Sequence, residues 1–566
     1  MDRSFRTQVL IGLAGVLALV IVLAAGPRPA PEQADVPARP GDTYVEAMVG
    51  EPHLVNPLLA TSETDTDLAH LVFSGLARVN ERGELAPDLA SGWESSADST
   101  VFTYTLKPNL RWHDGEPLTV SDVIWTFGAI QARGFPGDPL LAEAWKGVEV
   151  STPATDTVRF TLPAPDATFP EHTTIGIMPR HVWGEVKAED LARSELNRSP
   201  VGSGPWRYVG LSIPGVDDAI AGENTGQTPV PTVVEAQEGV VLEPNPYSST
   251  GGLQVSRIWF RQYPTLGAAI TAFQQGEVHG LGHVPPDRLA EVMEVDGAQV
   301  HTQTLARYNM MMVNVASPLF DRAETRQALE FAINRGAVAE AMGDGSVPAH
   351  SPILPHSWAH DASIEARPHG PAQAGRLLDE AGWVRTEGGV RARDGVTLTV
   401  VLAANSEMAP SAAAAERIAD DLRAVGVDVQ LALVPRETLL RDYLGPRAFH
   451  LAVVGWESQG AEPDLYRYWH SSQNVSGGLN FSGWASEAAD RALAEAHTNP
   501  DKEARRRAYS DFQRAFQAEV PAVVLSTPVY AYVTQPPASG VALPDADLLT
   551  PAARFDALNG WALAGR

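Results

Sequence analysis

Three strand-like stretches of the chain decide its fold class: VTLTVVL (residues 396–402), VDVQLALV (427–434) and FHLAVVG (449–455). Between the first two, Ile418, Leu422 and Val425 recur at helical spacing, and Gly426 follows them as a left-handed helix end. Residues 436–444 suit a short helix between the second and third stretches. Strands that alternate with helices form a parallel sheet wrapped by helices, so the pattern predicts an α/β fold.

The carboxyl end of the third stretch is the best candidate for a ligand site, because ligands of open parallel sheets bind there. Six aromatic residues fall within thirty positions: Trp456, Tyr466, Tyr468, Trp469, Phe481 and Trp484. Five polar residues are interleaved with them: Glu457, Gln459, Glu462, Asp464 and Asn480. Half of these aromatics suit an ordinary core, but flat side chains among a few polar groups are also typical of a pocket. We expect Trp456 to stack on the ligand, with Glu457 and Gln459 orienting its polar end.

The composition of the chain excludes several classes of protein. Its 566 residues are too many for one core and indicate roughly two to four domains. The absence of cysteine excludes disulfides, thiolate nucleophiles and the lipid-bearing cysteine of lipoproteins. A formal charge of −27 repels phosphates, so we expect no nucleic-acid partner.

The amino terminus predicts the compartment. Arg3 and Arg6 precede an apolar run, residues 9–25, that is long enough to cross most of a bilayer core. Residues 1–25 therefore read as a membrane anchor or a signal segment, and Pro27 disfavours cleavage at the best candidate position. Residues 26–41 form a Pro-rich spacer. We expect the folded body to be extracytoplasmic, at the cell surface or in the periplasm, and tethered to the cytoplasmic membrane.

The stretch RWHDGEPLTVSDVIWTF (111–127) is structural rather than catalytic. It follows an alternating strand over residues 101–106 and places His113 in a tight turn before a helix that Thr119 and Asp122 begin as a capping box. Helices also fit residues 323–342 and 371–381, the second of which Gly382 ends.

The sequence lacks the common motifs of nucleotide hydrolysis and of serine hydrolysis. There is no phosphate-binding glycine loop and no Gly-x-Ser-x-Gly elbow. His279 and His283 in HGLGH are separated by glycines that oppose the helix a metal pair needs, so we expect no metal site. Carboxylate pairs leave a cell-surface hydrolase open as a rival hypothesis.

A series of motifs resembles the family 5 extracellular solute-binding proteins, the peptide- and nickel-type receptors of ABC importers. The longest spans residues 71–127, from LVFSGL to VIWTF, and six others follow in order: PVGSGPWRY, LEPNPY, QQGEVHGL, RQALEFAINRGAV, AGRLLDEAGW and PDLYRYWHSSQ. The likeness covers roughly residues 42–535, and a series of this kind is highly specific for the family.

The resemblance implies a bilobed fold of the periplasmic-binding-protein type (type II), with mixed sheets wrapped by helices and a ligand cleft between the lobes. The core of the first lobe is expected at 42–75, 196–299 and 506–566, with an inserted sub-domain at 76–195. The second lobe is expected at 300–505. Residues 212–239 read as an exposed insertion.

The resemblance also implies a receptor that delivers a peptide or peptide-like ligand to an ABC permease, performs no chemistry and needs no cofactor. The residues expected to contact the ligand are Ser62, Glu63, Tyr308, Trp456, Glu457 and Gln459. In the peptide receptors an Asp three residues after the Gly-Trp pairs with the α-ammonium, whereas Gln459 stands at that position here. Glu457 would have to replace that charge. An oligosaccharide receptor of the same family is the alternative.

Overall fold

A computed structural model describes residues 43–211, 239–248, 254–458 and 460–563. The expected anchor or signal segment (1–25), the spacer (26–41), the insertion near 212–239 apart from Gly239, and Gln459 lie outside the described residues. Within the described ranges, no helix combines the length and the apolar character needed to cross a membrane.

A seven-stranded sheet forms the first lobe. Its strands are, in spatial order, Gln299–Thr304, Val529–Thr534, Gly280–Leu281, Thr43–Val49, Arg257–Tyr263, Gly239–Pro244 and Trp206–Leu211. The strand nearest the amino terminus pairs in parallel with Arg257–Tyr263, while Val529–Thr534 pairs antiparallel with both of its neighbours. The sheet is therefore mixed, and apolar side chains cover both of its faces.

A six-stranded sheet forms the second lobe. Its strands are, in spatial order, Val347–Pro348, Ala522–Thr527, Arg307–Val313, Leu451–Glu457, Thr399–Asn405 and Asp428–Val434. The last three pair in parallel, which confirms the expected α/β arrangement, and Arg307–Val313 joins them antiparallel. Two clusters of apolar side chains pack on the two faces, and every buried member of both lies between Tyr308 and Leu525.

A four-stranded antiparallel sheet with its own aromatic core is inserted into the first lobe. Its strands are, in spatial order, Ala90–Ser95, Val101–Leu106, Thr157–Thr161 and Glu149–Ala154. Phe127 stacks on Trp145 at 3.9 Å, and Phe160 and Phe169 meet the same cluster edge-on. This core holds the turn after Phe169 in a fixed position.

Helices cover the sheets. They are Glu63–Val72, Val120–Gln131, Pro139–Ala144, Arg180–Trp183, Leu266–Gln274, Leu289–Val292, Ala323–Ala332, Arg335–Met342, Pro371–Glu380, Ala409–Ala424, Arg436–Thr438, Tyr466–Trp469, Glu487–Thr498 and Lys502–Glu519. The expected capping box at Thr119 and Asp122 is present. Gly426 and Gly382 have left-handed backbone at φ +93° and +88°, as predicted for residues that follow a helix.

The chain crosses between the two large sheets twice. The first crossing is Leu305–Ala306, and the second is Pro528, whose carbonyl accepts a 2.9 Å hydrogen bond from the Leu305 amide. The two crossings therefore lie side by side and form the hinge between the lobes. The expected division put residues 506–566 in the first lobe, but the chain returns only at residue 528, because Ala522–Thr527 pairs with Arg307–Val313.

Candidate ligand-binding site

An enclosed space of about 1080 Å³, part of it open to solvent, lies between the two lobes. We call it the first chamber. Its walls come from the inserted sub-domain, the hinge-side loop near Asp547 and the second lobe. The lining is mostly apolar and aromatic, with a few charged groups, which is the composition of a small-molecule or peptide site. Trp456, Glu457 and Ser458, which follow the stretch 449–455, line this chamber.

Tyr308 and Trp456 stand opposite each other on adjacent antiparallel strands and line the first chamber. Trp456 is packed against Tyr468, with ring centroids 4.2 Å apart, and lies nearly parallel to Phe481. The Trp456 Nε1–H is buried and has no acceptor among the described residues. The indole is thus held firmly by neighbouring rings while it retains an unused donor.

Glu457 also lines the first chamber, but it has a resident cation. Arg307 donates from Nη2 to its Oε1 at 3.1 Å, because the two residues are register partners at the ends of their strands. Both side chains are roughly 40 % exposed. An ion pair with this exposure is weak, and it places a cation directly beside Glu457.

Ser62 and Glu63 lie at the amino terminus of the helix Glu63–Val72 in the first lobe, and neither lines the first chamber. Ser62 caps this helix by accepting from the Asp65 amide at 3.1 Å. Glu63 lies 3.5 Å from His283 Nδ1, and burial, followed by the charge of Asp67, raises the pKa of its carboxyl. Of the five expected contact residues that the structure describes, Tyr308, Trp456 and Glu457 line the first chamber, whereas Ser62 and Glu63 lie outside its lining.

Several contacts join the inserted sub-domain to the second lobe across the cleft. The Ala167 amide donates to the His497 carbonyl at 2.7 Å, and His497 Nδ1 lies 3.6 Å from Asp166. Lys502 lies 3.8 Å from Glu84. These contacts hold the two walls together, so the structure represents a closed arrangement of the cleft.

Glu171 makes a further contact across the cleft. It sits in the 3₁₀ turn Phe169–Thr173, and its Oε2 accepts a 3.0 Å hydrogen bond from the Ala461 amide of the second lobe. A side chain at Gly460 would put its Cβ 2.3 Å from the same oxygen, so the Glu171 carboxylate would have to move to admit it. Burial first, then the charge of Glu462, raise the pKa of Glu171 to about 8.

A second chamber of about 910 Å³ lies beyond this contact, between the inserted sub-domain and the second lobe. Thr168, Glu171, Ala461 and Glu462 line both chambers. Glu462 pairs through Oε1 with Arg505, but its buried Oε2 has no donor among the described residues. Burial raises the pKa of Glu462, and the neighbouring Arg505 opposes this.

His113 is structural, as expected. Its ring is buried, Nδ1 accepts from the Gly202 amide at 3.2 Å, and Nε2 therefore donates to the Gly204 carbonyl at 3.1 Å. Asn480 is structural too, since its amide donates to the backbone carbonyls of Trp469, His470 and Trp484.

Sequence reasoning missed Arg307 and Glu171. Glu171 comes from a turn 290 residues before its partner Ala461, and nothing in its own neighbourhood, PEHT, marks it as a cleft residue. Arg307 is paired with Glu457 only through the antiparallel register of two distant strands. Glu462 and Asp464 are among the polar residues interleaved with the aromatic residues of 456–484, but nothing in the local sequence separates them from the others.

Known proteins resemble this chain over nearly its whole length. A model of the bacterial extracellular solute-binding proteins, family 5 (middle part), matches residues 84–478. The oligopeptide-binding protein AppA of Bacillus subtilis is 25 % identical over 544 residues, which cover 93 % of this chain and 94 % of AppA.

Two solved structures share the fold. AppA from Bacillus subtilis in complex with a nonapeptide has a TM-score of 0.65 at 23 % identity and covers 92 % of this chain and 99 % of its own. NikZ from Campylobacter jejuni in complex with Ni(L-His) has a TM-score of 0.66 at 22 % identity, with 92 % and 100 % covered. The bilobed α/β architecture expected from the sequence agrees with both.

Proposed function

This chain belongs to the bacterial extracellular solute-binding proteins of family 5, and on that premise we propose that it is an extracytoplasmic receptor that delivers a peptide or peptide-like ligand to an ABC importer. The observation that carries this proposal is the enclosed, mostly apolar first chamber at the closed interface of two lobes. Closure around a bound solute and release to a permease need such an interface and a hinge.

The shape and lining of the chamber support an extended organic ligand. The first chamber has a mostly apolar lining, and the second chamber continues beyond Glu171, so the space between the two walls extends past that residue. The related AppA is named an oligopeptide-binding protein and was solved with a nonapeptide. We propose that Tyr308 and Trp456 contact the ligand and that Glu457 and Arg307 border its polar end.

Native mass spectrometry of the purified full chain tests the proposal. We expect an adduct whose mass, after release and fragmentation, gives one or more peptides. An adduct that resolves into a glycan would favour the oligosaccharide receptor instead. Turnover of a glycoside or peptide substrate by the purified protein would favour the hydrolase.

We also propose that residues 1–25 remain on the mature protein as a membrane tether. The support is the apolar run 9–25 after two arginines and the Pro27 that follows the best cleavage position. Peptide mapping of the protein from its native membrane fraction should recover the segment containing Met1. A mature amino terminus near residue 27 would contradict the tether and leave the receptor function intact.

A further inference from the structure

We propose that His497 and Asp166 form a proton-controlled latch between the two walls of the cleft, so that the cleft closes more readily in acidic than in neutral surroundings. His497 lies near the end of the helix Glu487–Thr498 in the second lobe, and Asp166 belongs to the inserted sub-domain. The inference adds a regulation to the receptor function proposed above and rests on it, because closure of the cleft is the step by which such a receptor holds its ligand.

The first step is the position of the His497 ring. Its Nδ1 lies 3.6 Å from Asp166 Oδ1, just beyond hydrogen-bond distance, and both side chains are 22 % exposed. This nitrogen is buried and has no hydrogen-bond partner among the described residues. A buried polar atom without a partner is costly, and a shift of less than about 1 Å would bring the carboxylate of the opposite wall into hydrogen-bond distance.

The second step is the support on each side of the pair. The Ala167 amide donates to the His497 carbonyl at 2.7 Å, so the residue after Asp166 is already bonded across the cleft. The His497 ring stacks on Tyr466, with centroids 4.7 Å apart and an interplanar angle of 21°. A charged imidazole is favoured beside the face of an aromatic ring. Both the position of the ring and its aromatic neighbour therefore suit a protonated His497.

The third step is the balance of charge around the ring. Asp464 of the second lobe lies close enough to Asp166, Arg467 and His497 for their charges to act on it. Burial raises the pKa of Asp464, and positive charge on His497 is the largest influence that opposes this rise. Two carboxylates thus face one permanent cation, Arg467. One proton on His497 restores the balance.

The other titratable groups of this cluster favour their neutral forms. Burial lowers the pKa of His172, although the charges of Asp166 and Asp464 oppose it. Burial first, and then the charges of Glu462 and Asp464, hold the pKa of Tyr509 well above its ordinary value. Neither group supplies the missing positive charge. We therefore assign it to the imidazole of His497, a side chain of the kind that changes its charge between pH 5 and 8.

The direction of the pH dependence follows from linkage. A proton on His497 meets the Asp166 carboxylate only when the two walls are together, whereas in the open cleft both groups face solvent. The proton therefore stabilises the closed state by the same free energy that closure gives to the bound proton. Closure is favoured as the pH falls through the range in which histidines titrate, and the gain is lost as the pH rises above that range.

Distances between two spin labels test the latch without a ligand. The chain contains no cysteine, so Thr155→Cys in the inserted sub-domain and Glu487→Cys in the second lobe provide the only two labelling sites. Both positions are exposed, and Glu487 lies at the other end of its helix from His497. Pulsed electron–electron double resonance on the full chain should give a closed-to-open ratio about two- to fivefold higher at pH 5.5 than at pH 7.5.

Two single substitutions should remove this pH response. His497→Gln leaves a side chain that stays neutral, and Asp166→Asn keeps an acceptor for the Thr168 amide and hydroxyl that now bind the carboxylate. His181→Gln is the matched control, because His181 pairs with Asp114 at 2.7 Å within the inserted sub-domain and does not cross the cleft. The control should keep the full response.

The outcomes separate the latch from the function. A ratio in the wild type that is the same at both pH values, or that falls at pH 5.5, would overturn the latch. A response that persists in both variants would also overturn it, because another cleft residue such as Glu171 would then produce the effect. Asp166→Asn decides the matter if His497→Gln does not fold. The receptor function depends on the mass-spectrometric adduct described above, and its failure would leave these ligand-free distances unchanged.

Discussion

His113 is kept neutral by the backbone around it. The Gly202 amide donates to Nδ1, and a second proton on the ring would have to sit on that same nitrogen. Burial accordingly lowers the pKa of His113 from 6.5 to about 4. His113 is thus a hydrogen-bonding bridge between two segments, residues 111–117 and 202–204, and its sequence neighbourhood favoured this structural role.

The lowered pKa of His113 predicts how stability depends on pH. The unfolded chain binds a proton at this residue below pH 6.5, and the folded chain binds it only near pH 4. Stability is therefore fully present above pH 6.5 and decreases as the pH falls towards 4, by up to about 3 kcal/mol. Urea midpoints at pH 7.5 and 5.0 should differ less in His113→Gln than in the wild type, with unchanged ligand affinity at pH 7.5. An equal pH response in the two proteins would contradict this assignment.

Trp456 and Glu457 should differ sharply in their effect on binding. Trp456→Ala removes a packed indole from the first chamber and should cost about 1.5–3 kcal/mol, or roughly 10- to 150-fold in Kd. Glu457→Gln breaks a partly exposed ion pair with Arg307 and should cost less than about fivefold. Calorimetric titration of both variants with the co-purified ligand measures this. A larger loss for Glu457→Gln than for Trp456→Ala would mean that Glu457 supplies a counter-charge to the ligand.

Helices and strands could be predicted from the local sequence pattern where residues that are close in sequence are also close in space. The helix Ala409–Ala424 with its terminal Gly426, and the parallel strands on either side of it, follow from residues 396–434 alone. The expected helix over 323–342 is instead two helices, because the Asn334 side chain accepts from the Ala337 amide and starts a new one. The strand Arg307–Val313 pairs antiparallel with Leu451–Glu457, and the sequence around it does not indicate this distant partner.

The contact between the Glu171 turn and the loop at Gly460 predicts the effect of one added methyl group. In Gly460→Ala the new Cβ would lie 2.3 Å from Glu171 Oε2, so this carboxylate must move and its hydrogen bond from the Ala461 amide is weakened or lost. We expect ligand affinity to fall at least tenfold while the thermal midpoint without ligand stays nearly constant, since each lobe keeps its own core. Titration calorimetry and thermal unfolding measure the two effects.

Gly128→Ala is the matched control for this variant. Gly128 lies in the helix Val120–Gln131, and a Cβ there meets no atom within 4 Å. It should leave the affinity unchanged and stabilise the helix slightly. An unchanged affinity in Gly460→Ala as well would mean that the closed contact does not contribute to binding.

At the scale of the whole molecule, the second lobe is one uninterrupted segment. All buried residues of its two apolar clusters lie within 308–525, and the two crossings at Leu305–Ala306 and Pro528 bracket it. We expect the fragment 307–527 to fold alone and to unfold cooperatively in urea. Circular dichroism and dispersed amide signals in a proton NMR spectrum measure this. A fragment that remains unfolded would mean that the lobes stabilise each other through more than the hinge.

The bilobed arrangement could be inferred from a resemblance, but the position of the return crossing could not. The helix Lys502–Glu519 and the strand after it belong to the second lobe because they pack on Arg307–Val313 and its neighbours. These contacting residues are about 200 positions apart in the sequence. No composition change near residue 505 or 528 marks the boundary, since both lobes use the same mixture of apolar strands and amphipathic helices.

The order of strands in the first sheet determines when that sheet can be completed during synthesis of the chain. Val529–Thr534 lies between Gln299–Thr304 and Gly280–Leu281, so both of these strands present an unpaired edge until that late segment arrives. At roughly 5–20 residues per second, the 230 residues from Thr304 to Thr534 take about 10–50 s to emerge. Open strand edges attract other chains during such an interval. The first lobe is therefore the last part to be completed, although most of its strands are synthesised before those of the second lobe.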